Sequence, residues 1–480
     1  MNTLALKLNF PYPEFIMLLF IIGILFADLY LTPAKRKIFV WLPRIAIIVT
    51  SFCVLGVYAF GEIVGPSGHY IHDRLADIIK FGILTVSYFI FTYAEYYLKG
   101  QQVERGEFYV LMLTSILGML ILASASSLLI IYLGLELLSL PIYALIAMQR
   151  DAHLNTEAAM KYFVLGSLAS AILLFGISIV YGATGYISLV HIAEVIPNLV
   201  LTDQKLLLAV GVVFVLGGIA FKLGAVPFHM WIPDVYAGAP TAVTALIASA
   251  SKLAGLVMAI RLLHNGLQDL LLDWQPICIA LAVLSLVVGN VVAIVQNDIK
   301  RLLGYSAIGH VGFLFLGLAV GNAEGYSAIL FYSLIYAFMI TAAFGLIMLL
   351  NHAGVEVQSV DDFKGLAQRN PWYAFLMMLI MFSLAGVPPL AGFYAKFLVL
   401  QAVANADMMW LVGIALFFSV VAAFYYLRIV KVMYFSAPDN PDLITSAPNL
   451  RYAISVNTLG LLVLGVFPAP LIQWCQTAFG

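Results

Sequence analysis

The chain has 480 residues, 63% of them hydrophobic and only 10% charged, with a formal net charge of −1. A soluble domain carries about 25% charged residues, so this chain cannot cover a water-facing surface, and no basic excess points to nucleic acid as a partner. Apolar runs of about 20 residues, rather than short alternating segments, predict an all-α polytopic membrane protein surrounded by a lipid bilayer.

The first apolar stretch, roughly Phe15 to Leu31, is too long for a signal-peptide core. Lys35, Arg36 and Lys37 follow it, which predicts a retained first span with a cytoplasmic anchor. Similar runs recur along the chain, giving about 14 transmembrane helices centred near residues 23, 49, 87, 115, 138, 169, 214, 252, 284, 310, 338, 386, 422 and 463. With the N-terminus outside, the inside loops carry Lys35, Arg36, Lys37, Lys99, Arg105, Arg150, Lys300, Arg301, Lys364, Arg369, Lys431 and Arg451. The outside segments carry Lys7, Arg74, Lys80, Lys205 and Arg261. Twelve basic residues against five is a positive-inside bias that places both termini outside. Tyr and Trp residues read mostly as an interfacial belt. Cys53, Cys278 and Cys475 form no CxxC pair, and no GxGxxG or GxxxxGK[ST] motif occurs in a strand-to-helix setting. Neither a metal nor a cofactor is expected in this chain.

Two runs do not fit a simple span. The segment from Asp203 to about Trp231 is interrupted by Pro227, with Pro233 beyond it. The segment from Trp372 to about Val403 would be about 48 Å long as one helix, against a hydrocarbon core of about 30 Å; Gly386-Val387-Pro388-Pro389 is its natural break. GAVP at 224–227 and AGVP at 385–388 are near-identical and lie five spans apart. An odd offset inverts one repeat against the other, and broken helices at matching positions of two inverted halves mark an ion-translocating site. The expected organisation is three N-terminal helices (1–106), a first inverted-repeat unit (107–265), a second (268–437) and a C-terminal helix (438–480).

A few ionisable residues fall inside spans. Glu136 and His310 lie mid-span, Lys222 precedes the first break, Lys396 follows the second, and Lys252 lies about 17 Å from its helix start near Thr241, too deep to snorkel. A charged lysine at a helix centre costs about 2.5–3.5 kcal/mol, so these side chains must face an interior. Burial there moves a lysine toward the range where protons exchange. Blander readings stay open. Glu136 pairs in a way that only fixes packing; Lys222 and Lys396 cap carbonyls freed by the breaks; His229 and His310 are satisfied core histidines; Lys161 makes an i,i+4 pair with Glu157 near the interface. Asp234 reads as a cap near the Pro233 turn, and Asp298 as a helix N-terminal carboxylate.

The stretches GLELLSLPIYAL, FKLGAVPFHMWIPDVYAGAPT, NDIKRLLGYSAIGHVGF and SLAGVPPLAGFYAKF resemble the antiporter-like subunits of proton-pumping NADH:quinone oxidoreductase, respiratory complex I. The resemblance spans about residues 107–437. Lys396 stands where the M subunit has a glutamate, and no long extension follows the last span, unlike the L subunit. The resemblance implies a bacterial inner-membrane subunit of a hetero-oligomer, beside the M subunit and small membrane subunits, with periplasmic termini. It implies proton translocation without redox chemistry in this chain. It makes Glu136 and Lys222 a pair, Lys161 the residue that tunes it, Lys252 the connecting lysine, His229 and His310 polar positions of a central axis, and Lys396 its terminal lysine. The alternative is a subunit of a multisubunit cation/proton antiporter.

Overall fold

Apolar segments in lipid must satisfy every backbone group internally, which leaves helices as their default. The computed structural model describes residues 10–30, 38–58, 62–65, 68–101, 106–149, 152–199, 202–351, 357–438 and 447–480. Lys7, Lys35, Arg36, Lys37, Arg105 and Arg150 lie outside the described residues.

The first three spans are α1 (Tyr12–Tyr30), α2 (Ile38–Tyr58) and α3 (Arg74–Gln101), with a two-stranded hairpin, β1 (Ile63–Val64) and β2 (Ile71–His72), between the last two. Then come α4 (Gly106–Ala123), α5 (Leu128–Ile146) and α6 (His153–Thr184). A short α7 (Leu189–Val195) leads to α8 (Thr202–Leu223), which breaks before α9 (Trp231–Gly238). The eighth span is α10 (Thr241–Ala248), α11 (Ala250–Ile260) and a π-helical turn at Arg261–Gly266. The second group is α12 (Leu271–Ile294), α13 (Ile299–Val320), α14 (Ala323–Leu350), a short α15 (Leu366–Arg369), the broken pair α16 (Pro371–Ala385) and α17 (Ala391–Asn405), and α18 (Met409–Phe435). The span α19 (Pro448–Val466) and a short α20 (Ala469–Gln476) close the chain. Among the described residues thirteen helical stretches are long and apolar enough to cross a membrane. The broken pair α16–α17 makes the fourteenth.

The two five-helix repeats show in the backbone. Ser127, before α5, bridges to Ser188, after α6; Asp298, before α13, bridges to Ser359, after α14. Each bridge is reciprocal: Leu128 N–H to Ile187 O and Leu189 N–H to Ser126 O in one, Ile299 N–H to Gln358 O and Val360 N–H to Asn297 O in the other. Five spans separate the two, so they lie at opposite ends of the bundle. Helix crossings repeat as well. A Cβ on Gly118 would sit 2.4 Å from Leu138 N, and one on Gly289 2.4 Å from Gly309 N, so in each repeat a glycine lets two backbones touch at residues 20 apart. The caps are Ser127, accepting from Ile130 N–H, and Asp298, accepting from Arg301 N–H at 2.7 Å, the N-terminal role expected of Asp298.

The span Thr241–Gly266 is buried from Thr241 to Leu263, and α13 and α14 nearly throughout. These three form the centre. Outer helices such as α6 and α18 expose Leu168, Phe175, Phe417, Val420 and Phe424, the apolar faces that lipid or a neighbouring chain requires.

Two basic residues assigned to outside segments are interior. Lys80 on α3 is fully buried and pairs with Glu14 of α1 at 2.6 Å. Arg261 is buried and makes a bidentate pair with Asp73, both contacts 2.6 Å. A charge tally along the sequence cannot separate a loop charge from one that faces a neighbouring helix.

Candidate functional site

Both broken helices stop for the same reason. Gly224 takes φ +82° and Gly386 φ +88°, backbone that side chains avoid. In each, the glycine N–H and the next N–H both reach one carbonyl, Ala220 O in the first and Phe382 O in the second. The groups freed by the breaks are then met by side chains, as lipid demands. Ser285 Oγ accepts from Val226 N–H at 3.0 Å, and Trp231 Nε1–H donates to Phe221 O at 3.1 Å. Ser383 Oγ accepts from Gly392 N–H at 3.2 Å, and Lys396 donates to Ala385 O at 2.9 Å. Lys396 therefore does cap a freed carbonyl; Lys222 does not.

Lys222, in the last turn of α8, donates to Ser139 Oγ at 3.2 Å. Ser139 lies one turn beyond Glu136 on α5, and no direct ion pair joins Glu136 to Lys222. Glu136 is half-buried, with Oε1 enclosed and without a hydrogen-bond partner. The stem of Lys222 packs against Gly255 of α11, one turn from Lys252.

Lys252 is 4% exposed, on the most enclosed span of the molecule. A kink precedes it. Ser249 Oγ returns to Ala245 O at 2.6 Å and its backbone leaves helical geometry, a local competition that bends helices. The Lys252 ammonium donates to Ala307 O on α13 at 3.2 Å and lies 5.6 Å from the centroid of the Tyr336 ring. One turn past Ala307, His310 shares a hydrogen bond with Tyr332 Oη through Nδ1 (2.6 Å) and with Tyr426 Oη through Nε2 (3.1 Å). Ser306 Oγ joins Tyr426 at 2.5 Å. Phe313 stacks on Tyr332 with centroids 5.5 Å apart, and Lys396 lies 5.6 Å from the centroid of the Phe313 ring.

Lys222, Lys252, His310 and Lys396 thus form a buried series running from the first repeat into the second. A neutral imidazole between two hydroxyls accepts at one nitrogen and donates at the other, so it passes a proton by exchanging tautomers. Lysine ammonium and the tyrosine and serine hydroxyls are the other exchangeable groups along it.

Lys161 and His229 stand apart from this series. Lys161 is part-exposed and bonds Glu157 at 2.7 Å, the i,i+4 pair its spacing allowed, and also Asp234 at 2.8 Å. His229 is half-buried on the first break. Asp234 makes no cap; it lies in the first turn of α9 and also binds Arg301 at 2.9 Å. Tyr332, Tyr336 and Tyr426 do not belong to an interfacial belt: all three are buried around His310. Their visible signal is spacing, since Tyr332 and Tyr336 fall one turn apart on one face of α14. Among the described residues no group of three or more His, Cys, Asp or Glu is placed to hold a metal.

Residues 125–422 match the family described as NADH:quinone oxidoreductase/Mrp antiporter, TM. A relative named NADH-quinone oxidoreductase subunit N, from Thioalkalivibrio sulfidiphilus, is 47% identical over 474 residues, covering 97% of this chain and 98% of the relative. Among solved structures, a chain of respiratory complex I from Thermus thermophilus with bound aureothin is 30% identical, covers 97% of this chain and 100% of that chain, and superposes with a TM-score of 0.82. A chain of the Mrp complex from Dietzia sp. covers 99% of this chain and 97% of that chain at a TM-score of 0.86, but at 18% identity it shares the fold alone. The chain belongs to the family of NADH:quinone oxidoreductase and Mrp antiporter membrane subunits, and within it stands with the NADH-quinone oxidoreductase subunit N proteins.

Proposed function

We propose that the chain carries protons across a bacterial inner membrane along Lys222, Lys252, His310 and Lys396, with both termini on the periplasmic side. Hydride, electron and quinone chemistry belong to other subunits, and this chain holds no redox cofactor. The working parts are the units 107–265 and 268–437. Glu136 receives the signal from the neighbouring subunit, Lys222 answers it, and Lys161 tunes the pair from the end of α6. Lys252 connects the halves, His229 and His310 supply polar positions, and Lys396 releases the proton.

The observation that carries this reading is the buried series itself. A charged lysine at membrane depth costs about 2.5–3.5 kcal/mol, and three of them on one path is an expense an inert scaffold has no reason to bear. A cation/proton antiporter subunit is the second reading. Near-full-length identity of 47% to a subunit N protein favours the redox-driven complex over it.

Lys396→Met in the assembled complex, reconstituted into vesicles, is the direct check on the far end of the path. Proton translocation driven by NADH oxidation is expected to fall at least about tenfold, the scale of a positioned proton-transfer group. Wild-type translocation overturns the reading.

A further inference from the structure

Of the charged groups outside the series, one cluster joins the two repeats at a cleft, and it centres on Asp234. Its two carboxylate oxygens point to different helices. Oδ2 holds Lys161 of α6 at 2.8 Å, and Oδ1 holds Arg301 of α13 at 2.9 Å. Glu157 grips the same Lys161 ammonium at 2.7 Å. These four charges, together with Asp298 and Lys300, line a cleft of about 190 Å³, with Gln358 of the α14–α15 connection also on its wall. It opens on the face that the basic-residue bias makes cytoplasmic. Asp234 therefore ties a helix of the first repeat to one of the second by charge at this mouth, beside Lys300 of α13, which donates to Ala239 O at 3.1 Å.

Polar groups lead inward from it. Tyr236, two residues on, is fully buried, and its hydroxyl has no protein partner. It packs on Phe344 of α14, two turns from Tyr336, with ring centroids 6.1 Å apart. Tyr336 is also buried with an unpartnered hydroxyl, and its ring faces the Lys252 ammonium. An unsatisfied buried hydroxyl costs about 1–3 kcal/mol, so native proteins keep such groups where water bridges them. The repeat supplies the contrast. Asp234 follows Gly224 by ten residues, and Lys396 follows Gly386 by ten. The same place after the break holds a carboxylate at one end of the molecule and an ammonium at the other.

We propose that Asp234 is a positioning residue, a two-pronged latch that pins Lys161 and Arg301 across this cleft and so sets the passage of protons from that face past Tyr236 and Tyr336 to Lys252. With Asp234 closed on both cations, the mouth is crossed by a continuous charge bridge. Released from Asp234, Lys161 retains only Glu157 on its own helix, and the charge bridge between α6 and α13 is broken. The inference rests on the proton path proposed above.

The test is a double-mutant cycle in the reconstituted complex, comparing Asp234→Asn, Lys161→Met, the double variant, Asp234→Glu and, as a check on the path itself, Lys396→Met. Asp234→Asn is expected to slow proton translocation about two- to fivefold, the weight of a part-exposed ion pair, while electron transfer to an artificial acceptor is unchanged. Asp234→Glu should recover most of the loss, and the double variant should pump no worse than Asp234→Asn, because Asp234 acts through Lys161. Wild-type pumping by Asp234→Asn overturns the latch, as do losses that multiply in the double variant. If Asp234→Asn does not assemble, Arg301→Gln and Lys161→Met carry the test: each should slow pumping with electron transfer intact, and wild-type pumping by both overturns it. Normal pumping by Lys396→Met would sink the path; loss there with a normal Asp234→Asn sinks the latch alone.

Discussion

Replacing Lys252 with methionine is expected to stop proton translocation while the complex still assembles and still passes electrons to an artificial acceptor. The two outcomes separate because of where Lys252 sits. Its span is buried from Thr241 to Leu263, so the ammonium has no path to bulk water except through the protein. Among the described residues its sole hydrogen bond is to Ala307 O, a carbonyl within the helical ladder of α13. Methionine matches the stem in length and removes a charge that costs about 2.5–3.5 kcal/mol at this depth. Thermal stability should therefore hold or rise, and function alone should fail. The expected loss is at least about tenfold, since positioned proton-transfer groups contribute on the order of 100-fold or more. Proton uptake by vesicles, read beside acceptor reduction in the same sample, checks both halves.

The second large effect concerns two glycines that touch no proton. Gly118 meets Leu138 N at the α4–α5 crossing, and Gly289 meets Gly309 N at the α12–α13 crossing. The next residue in each case is a site residue, Ser139 beside Leu138 and His310 beside Gly309. An added methyl has backbone rather than a flexible side chain in its way, so the helices must separate. Overpacking of this kind costs about 1–3 kcal/mol and more where backbone must move. Gly289→Ala is expected to lower the unfolding temperature and to pull His310 away from Tyr332 and Tyr426. Gly118→Ala should do the same to the Ser139–Lys222 bond. Gly182→Ala, where nothing lies within 4 Å of the new methyl, should leave both properties unchanged. Unfolding midpoints and translocation rates of the three variants decide it.

The fourteen spans and both breaks were legible in the sequence because they depend on local signals. Apolar length predicts a span, and Gly224-Ala225-Val226-Pro227 and Gly386-Val387-Pro388-Pro389 interrupt one wherever they fall. The positions of Lys222, Lys252, His310 and Lys396 stood out because each violates an apolar run. Their partners did not stand out, because partners are set by the rotation of one helix against another. Nothing in GLELLSLP says that Lys222 meets Ser139 rather than Glu136. The tyrosines were hidden for a related reason: an aromatic with a polar tip suits a membrane interface and a buried hydrogen bond equally well. Tyr332 and Tyr426 are told from belt residues only once α14 and α18 are seen to pack around His310. The Glu14–Lys80 pair was hidden by its position near helix ends, where a charge ordinarily faces water. The kink at Ser249 is a one-residue event inside an unbroken apolar run, below what periodicity reports.

The central claim is that Lys252 gains and loses a proton in each cycle, rather than lending a fixed positive charge. The rate of NADH-driven proton translocation by a reconstituted Lys252→Arg complex tests it most directly. Arginine keeps the charge but does not deprotonate in proteins. Translocation as poor as in Lys252→Met is the predicted result; translocation at the wild-type rate would show that a fixed charge is enough and would contradict the proton path.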